Sequence, residues 1–227
     1  MSYVIPAPVQ PSVEVHGTAS RFPVHRIYCV GRNYAAHARE MGNDDRTPPF
    51  FFTKPADAVV ASGSSVPYAS RTSNFHHEVE LVVALGAGGA NITAHKANSM
   101  IFGYAVGIDL TRRDLQSAAR DDGRPWDHSK GFDRSAPIGA IHPVKSTGII
   151  DSARIWLKVN GKDRQNANVA EMTWKVPEVI AELSTLWELA AGDLIFTGTP
   201  AGVGALSPGD SIEAGIEGLS GLSIRIT

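Results

Sequence analysis

The densest chemistry in the chain is acidic. Glu78 and Glu80 stand two residues apart in Glu78-Val-Glu-Leu-Val-Val-Ala-Leu85, a run that begins alternating and ends fully apolar, as a strand entering a core does. Residues two apart on a strand share a face, so both carboxylates point the same way. Asp109 closes a second apolar run, Gly103-Tyr-Ala-Val-Gly-Ile-Asp109, where an unpaired carboxylate is costly. Three carboxylates gathered at one point repel one another unless a cation sits between them. An oxygen-only set of this kind suits Mg²⁺ or Mn²⁺ better than zinc. Two plainer readings stay open at this level. Glu78 and Glu80 fit the wet face of an edge strand equally well, and Asp109 or Thr111 would serve as a cap for the helix that follows.

Other reactive side chains are more scattered. His37 and Glu40 stand three apart on a short predicted helix and so share a face. A carboxylate beside an imidazole orients a general base and makes it more basic, although an exposed helical pair often does nothing. Lys130, in Ser-Lys-Gly-Phe-Asp133, and Arg113 with Gln116 offer donors to an anionic substrate; each, taken singly, also reads as a surface residue. His76-His77-Glu78 invites a zinc site, but HExxH would need a second histidine four residues on. Gly86-Ala-Gly88-Gly89 and Gly198-Thr-Pro-Ala-Gly-Val-Gly204 lack the spacing of nucleotide-binding loops and read as tight turns.

These residues need a scaffold, and the pattern supplies mostly strands. Arg26-Ile-Tyr-Cys-Val30 is a short apolar strand, followed by a helix predicted over 34–41, with Asn33 as its cap and Gly42 as its stop. Phe50-Phe51-Phe52 is a further short strand, and a helix is expected over 94–101 after Thr93. Ile155, Leu157 and Val159 alternate with polar neighbours and run into Asn160-Gly161, a strong hairpin signal. Val179, Ile180, Leu183, Leu186 and Trp187 form one face of a helix over about 177–189, and 194–197, 211–214 and 222–226 close the chain as strands. Many strands, few helices and no regular βαβ alternation argue for an α+β, strand-rich roll.

Composition sets the outer limits. The 227 residues are 43% hydrophobic and 19% charged, enough for a buried core in one domain. A formal net charge of -2 argues against a broad basic surface for nucleic acid. The lone Cys29 excludes an intramolecular disulfide and fits a reducing compartment. No apolar run reaches the ~20 residues a membrane helix needs, and the N-terminus lacks a signal-peptide pattern. A cytoplasmic protein is therefore expected, with residues 1–22 as an extended arm carrying Pro6, Pro8 and Pro11, and 23–227 as a single catalytic domain.

Seven motifs then occur in order: Tyr28-Cys-Val-Gly-Arg-Asn-Tyr-Ala-Ala-His37, Phe52-Thr-Lys-Pro55, His77-Glu-Val-Glu80, Gly107-Ile-Asp109, Arg113-Asp-Leu-Gln116, Lys130-Gly-Phe-Asp133 and Thr197-Gly-Thr-Pro-Ala-Gly-Val-Gly204. Together they resemble the fumarylacetoacetate hydrolase family, in its short form, from about residue 26 to 216. The resemblance implies a layered, mixed β-sheet rolled around the active site, usually in a homodimer. It implies Glu78, Glu80 and Asp109 as ligands of Mg²⁺ or Mn²⁺, Lys130 facing the substrate, and His37 with Glu40 as the water-activating pair. Arg113, Gln116 and Thr199 match substrate-contacting positions. His128 departs from the pattern, where an uncharged side chain is expected. The activity implied is hydrolysis of a C–C bond in a 2,4-dioxo acid, foremost 3-fumarylpyruvate in gentisate-type aromatic catabolism. A broader acylpyruvate hydrolase, an oxaloacetate decarboxylase and a non-catalytic metal-dependent binder of 2-oxo acids are the alternatives.

Overall fold

The computed structural model describes residues 3–34 and 47–227, and the helix predicted over 34–41 falls almost wholly outside them. An eight-stranded mixed sheet carries the molecule. Along it run Phe50–Lys54, Ile27–Gly31, Leu194–Phe196, Val79–Leu85, Ile101–Ile108, Ala136–Ile138 and Val59–Ala61, with His142–Pro143 paired to Ile101–Ile108 off this path. Leu194–Phe196 lies parallel to Ile27–Gly31 but antiparallel to Val79–Leu85, which makes the sheet mixed. A five-stranded sheet, in the order Lys162–Asn168, Arg154–Val159, Ser211–Ile216, Leu222–Ile226 and Ser65–Val66, packs against it. The strand-rich α+β expectation holds.

Both faces of the large sheet are covered, and this decides what its central strand can carry. Leu81, Val83 and Leu85 face one apolar cluster with Ile155, Leu157 and Ile212 of the second sheet. Val82 and Ala84 face another, with Cys29, Phe196 and the N-terminal ribbon residues Val13 and Phe22. Every residue of Val79–Leu85 is buried, so apart from Glu80 the strand is apolar throughout, because neither face meets water. The ribbon pairs Ser12–Glu14 with Arg21–Pro23, so the stretch expected as an extended arm doubles back on itself there.

Local differences from the sequence reading have local causes. The hairpin joining Arg154–Val159 to Lys162–Asn168 turns at Asn160 and Gly161 with φ of 51° and 74°, as a two-residue type I′ turn requires. The helix expected over 94–101 is one turn, Ala94–Ala97, tightening to a 3₁₀ turn over Asn98–Met100 before Ile101 enters its strand. The later helix spans Val176–Leu186 and stops where Trp187 turns extended. A nine-residue helix, Arg113–Asp121, and a single turn, Asp127–Lys130, follow the central strands and flank the acidic residues.

Candidate active site

The central antiparallel pair brings the three acids to one place. Glu80 lies opposite Gly107 in the register of Val79–Leu85 with Ile101–Ile108, and the N–H of Asp109 donates to the Glu78 carbonyl over 2.8 Å. Glu78 and Asp109 thus sit at the same end of the two strands, and one oxygen from each of Glu78, Glu80 and Asp109 lies within 4.8 Å of the others. All three are buried. The edge-strand reading of Glu78 and Glu80 is overturned, because Val79–Leu85 has a paired strand on each side. Nor is Asp109 merely a cap: its carboxylate takes Lys130 at 2.7 Å and stands 2.8 Å from the Lys54 ammonium.

Three cations face these acids. Lys130, 2% exposed, donates from Nζ to Glu78, Asp109 and Thr111 Oγ1, each over 2.7 Å. The surface reading of Lys130 is therefore overturned too. Burial works against its charge, but Asp109 and Glu78 outweigh burial and hold its pKa above the ordinary lysine value. Arg113 donates to Glu78 and to Gln116. Lys54 also donates to the Leu110 and Lys130 carbonyls, tying Asp109 to the helical turn that presents Lys130.

Glu80 is the odd member. Among the described residues its carboxylate accepts one backbone N–H, from Gly198 over 2.8 Å. Burial, then the like charges of Asp109 and Glu78, push its pKa well above the carboxylate range, and Lys130 and Gly198 only partly offset this. A crowded, oxygen-only donor set in which Glu80, among the described residues, has no cation bonded to it fits a hard divalent cation.

The wall opposite comes from a segment that the spacing alone marked as a turn. Gly198 sits at φ +95°, which glycine adopts freely, and a Cβ there would stand 2.7 Å from the Asn33 Cβ. Asn33 fixes this crossing by donating to the carbonyls of Thr197 (2.8 Å) and Trp174 (2.9 Å). Thr199 Oγ1 donates to the Val79 carbonyl and accepts from Gln165 Nε2, both over 2.8 Å. Glu78, Glu80, Arg113, Gln116, Lys130 and Thr199 line one cavity, which Phe52 and Trp126 also border.

The structure thus unites seven of the nine expected site residues. His37 and Glu40 lie outside the described residues. The zinc reading does not hold: His77 Nδ1 bonds Gln165, and His76 bonds Asn74 and Arg113. His128 is exposed, and its carbonyl accepts from Arg112. Sequence reasoning missed Lys54, Asn33 as a crossing pin, and Gln165. Lys54 carried a signal, since it stands in Phe52-Thr-Lys-Pro55, one of the seven motifs, and the structure buries it while Thr53 beside it is exposed. Gln165, in a polar strand, carried none.

Comparison with known proteins places this geometry. The family model for the fumarylacetoacetate (FAA) hydrolase C-terminal region matches residues 26–227. The chain belongs to that family. Fumarylpyruvate hydrolase of a Ralstonia species is 45% identical over 177 residues, covering 78% of this chain and 92% of that protein. The crystal structure of fumarylpyruvate hydrolase from Pseudomonas aeruginosa in complex with Mn²⁺ and pyruvate superposes with a TM-score of 0.97. It is 50% identical, covering 100% of this chain and 99% of that one. A mitochondrial oxaloacetate decarboxylase of Dictyostelium discoideum is 40% identical over 195 residues, covering 86% of this chain and 89% of that protein.

Proposed function

We propose that this protein is a metal-dependent hydrolase that cleaves 3-fumarylpyruvate to fumarate and pyruvate. The observation that carries the reading is the buried trio Glu78, Glu80 and Asp109 with the Lys130 ammonium held across two of its members. Glu78, Glu80 and Asp109 would hold Mg²⁺ or Mn²⁺. When bound, the cation supplies positive charge to the carboxylate and 2-keto oxygens of a 2-oxo acid.

The chain's own residues divide the rest of the work. His37, oriented by Glu40, takes a proton from the water that attacks the C4 carbonyl. The C3–C4 bond then breaks, its electron pair leaves on C3 as the pyruvate enolate, and the acyl fragment departs as fumarate. Lys130 meets the enolate charge as it develops, which is where stabilisation accelerates the reaction. C3 then takes a proton to give pyruvate. Arg113, Gln116 and Thr199 contact the substrate. The place of such an enzyme is aromatic catabolism in the cytoplasm, as a homodimer; among the described residues no helix is long and apolar enough to cross a membrane.

The resemblance to an oxaloacetate decarboxylase favours a second reading, because loss of CO₂ from oxaloacetate leaves the same enolate. That reaction has no use for an attacking water. Ultraviolet loss of the enolised diketone, with added Mn²⁺, measures fumarylpyruvate cleavage, and oxaloacetate is assayed in parallel. His37→Ala should lower cleavage by about 10²–10⁴-fold, the scale of a lost general base, and spare decarboxylation. Wild-type protein that consumes oxaloacetate but leaves fumarylpyruvate intact would replace the first reading with the second.

A further inference from the structure

We infer that Gln165, on a strand of the other sheet, is a positioning residue for the metal-ligand strand and for Thr199; this rests on the metal-dependent reading above. Lys162–Asn168 is a polar strand whose residues are exposed or half-buried except Gln165, which is 1% exposed. Its side-chain oxygen accepts from the Val79 N–H (3.0 Å) and meets His77 Nδ1 (3.1 Å). Its nitrogen donates to Thr199 Oγ1 (2.8 Å) and to the Pro200 carbonyl (2.9 Å). The amide orientation is unambiguous, because a backbone N–H can only donate and a carbonyl can only accept. It follows that His77 carries its proton on Nδ1 toward Gln165.

The targets of these bonds matter more than their number. Val79 is the residue between Glu78 and Glu80, so the Gln165 oxygen holds the backbone that spaces the two acids. Thr199 takes the Gln165 N–H and gives its own proton to the Val79 carbonyl, which closes a ring of Gln165, Thr199 and Val79. Thr199 follows Gly198, whose N–H holds Glu80. One amide therefore sets two of the acids on one side and the cavity wall on the other. The loop itself rests on the same hairpin, since a Cβ on Gly202 would stand 2.1 Å from the Arg164 carbonyl oxygen. A hairpin pin with no bearing on the site would need none of these particular partners.

The test compares the wild-type chain with Gln165→Met, Thr199→Val and the double variant. Metal-free protein is titrated calorimetrically with Mn²⁺, KM for fumarylpyruvate is measured, and melting is followed without metal. Gln165→Met should weaken Mn²⁺ binding by about 10–100-fold, the usual cost of losing a group that orients a ligand, and raise KM. Thr199→Val should raise KM with a smaller effect on Mn²⁺, and the double variant should raise KM no further than the worse single one, as residues acting in series do. Unchanged Mn²⁺ affinity and KM in Gln165→Met, with only a lower melting temperature, would overturn the inference. Should that variant fail to fold, Gln165→Asn, which keeps the amide one carbon short, takes its place. Failure of both to fold would mean a structural role alone. A wild-type chain that binds no Mn²⁺ would sink the metal reading, and this inference with it, in a separate trace.

Discussion

Among the described residues, two places bury a carboxylate against cations, and they differ in what is left over. Asp193, fully buried, closes the turn after Leu189 by accepting the Ala190 N–H over 2.8 Å, a bidentate pair of contacts from Arg26 and a bond with His25 Nδ1. That is one anion, amply surrounded, with partners that reach it from a half-exposed rim. At the site, Glu78, Glu80 and Asp109 crowd one another, and among the described residues Glu80 has one backbone N–H to itself. The lesson is that burial of a carboxylate marks nothing by itself. Like-charge crowding with one member under-compensated is what separates a place for a cation from a structural pin.

The largest expected effect is on turnover. Lys130→Met keeps much of the stem's packing and removes the ammonium that bonds Glu78 and Asp109. Steady-state assays should show fumarylpyruvate cleavage lower by roughly 10²–10³-fold, the scale of one lost donor to developing charge. Oxaloacetate decarboxylation, if present, should fall with it, since both leave the same enolate. Lys130→Arg should rescue little, because a planar fork does not replace a compact ammonium.

Glu80→Gln and Asp193→Asn should give opposite signatures. Glu80→Gln removes a charge that burial and its neighbours already disfavour. The metal-free protein should melt no lower than wild type, while calorimetry shows Mn²⁺ binding weaker by ~100-fold or more, the upper range for orienting groups and a floor for a direct ligand. Asp193→Asn should cost about 2 kcal/mol by breaking charged hydrogen bonds in a buried place, about 4–8 °C in melting temperature. Mn²⁺ affinity should not change. A metal effect of Asp193→Asn would erase the distinction between the two places.

How much of this was legible beforehand follows the same division. The acids could be read as residues: two apart on a strand, and one ending an apolar run. Whether they faced water could not, because that depends on Leu194–Phe196, more than a hundred residues later, pairing with Val79–Leu85. Asn160-Gly161 announced its hairpin because a two-residue turn has local requirements. Gln165 was invisible, since one buried residue in Lys-Asp-Arg-Gln-Asn-Ala-Asn is chosen by what packs over it. The roles proposed for His37 and Glu40 rest on the family motif and on their three-residue spacing in the sequence alone, since both lie outside the described residues.

The smallest effect belongs to another structural pin. His142 stacks on His16 at 4.0 Å and accepts the Ser220 N–H at Nε2 over 2.9 Å, an arrangement that needs neutral imidazole. Burial, then His16, lower its pKa from 6.5. The unfolded chain therefore takes up the proton first, and stability falls as pH drops below about 6.5, the unperturbed imidazole value. Melting curves across that range should show the fall, to which half-buried His76 and buried His77 also contribute, and His142→Gln should make it shallower without altering turnover at neutral pH.

The most direct test of the central claim is anomalous diffraction from crystals soaked in Mn²⁺. One strong peak is expected within coordinating distance of Glu78, Glu80 and Asp109, much weaker or absent in Glu80→Gln crystals soaked alike. A peak at other residues, or an empty trio in a crystal that carries Mn²⁺ elsewhere, would contradict it.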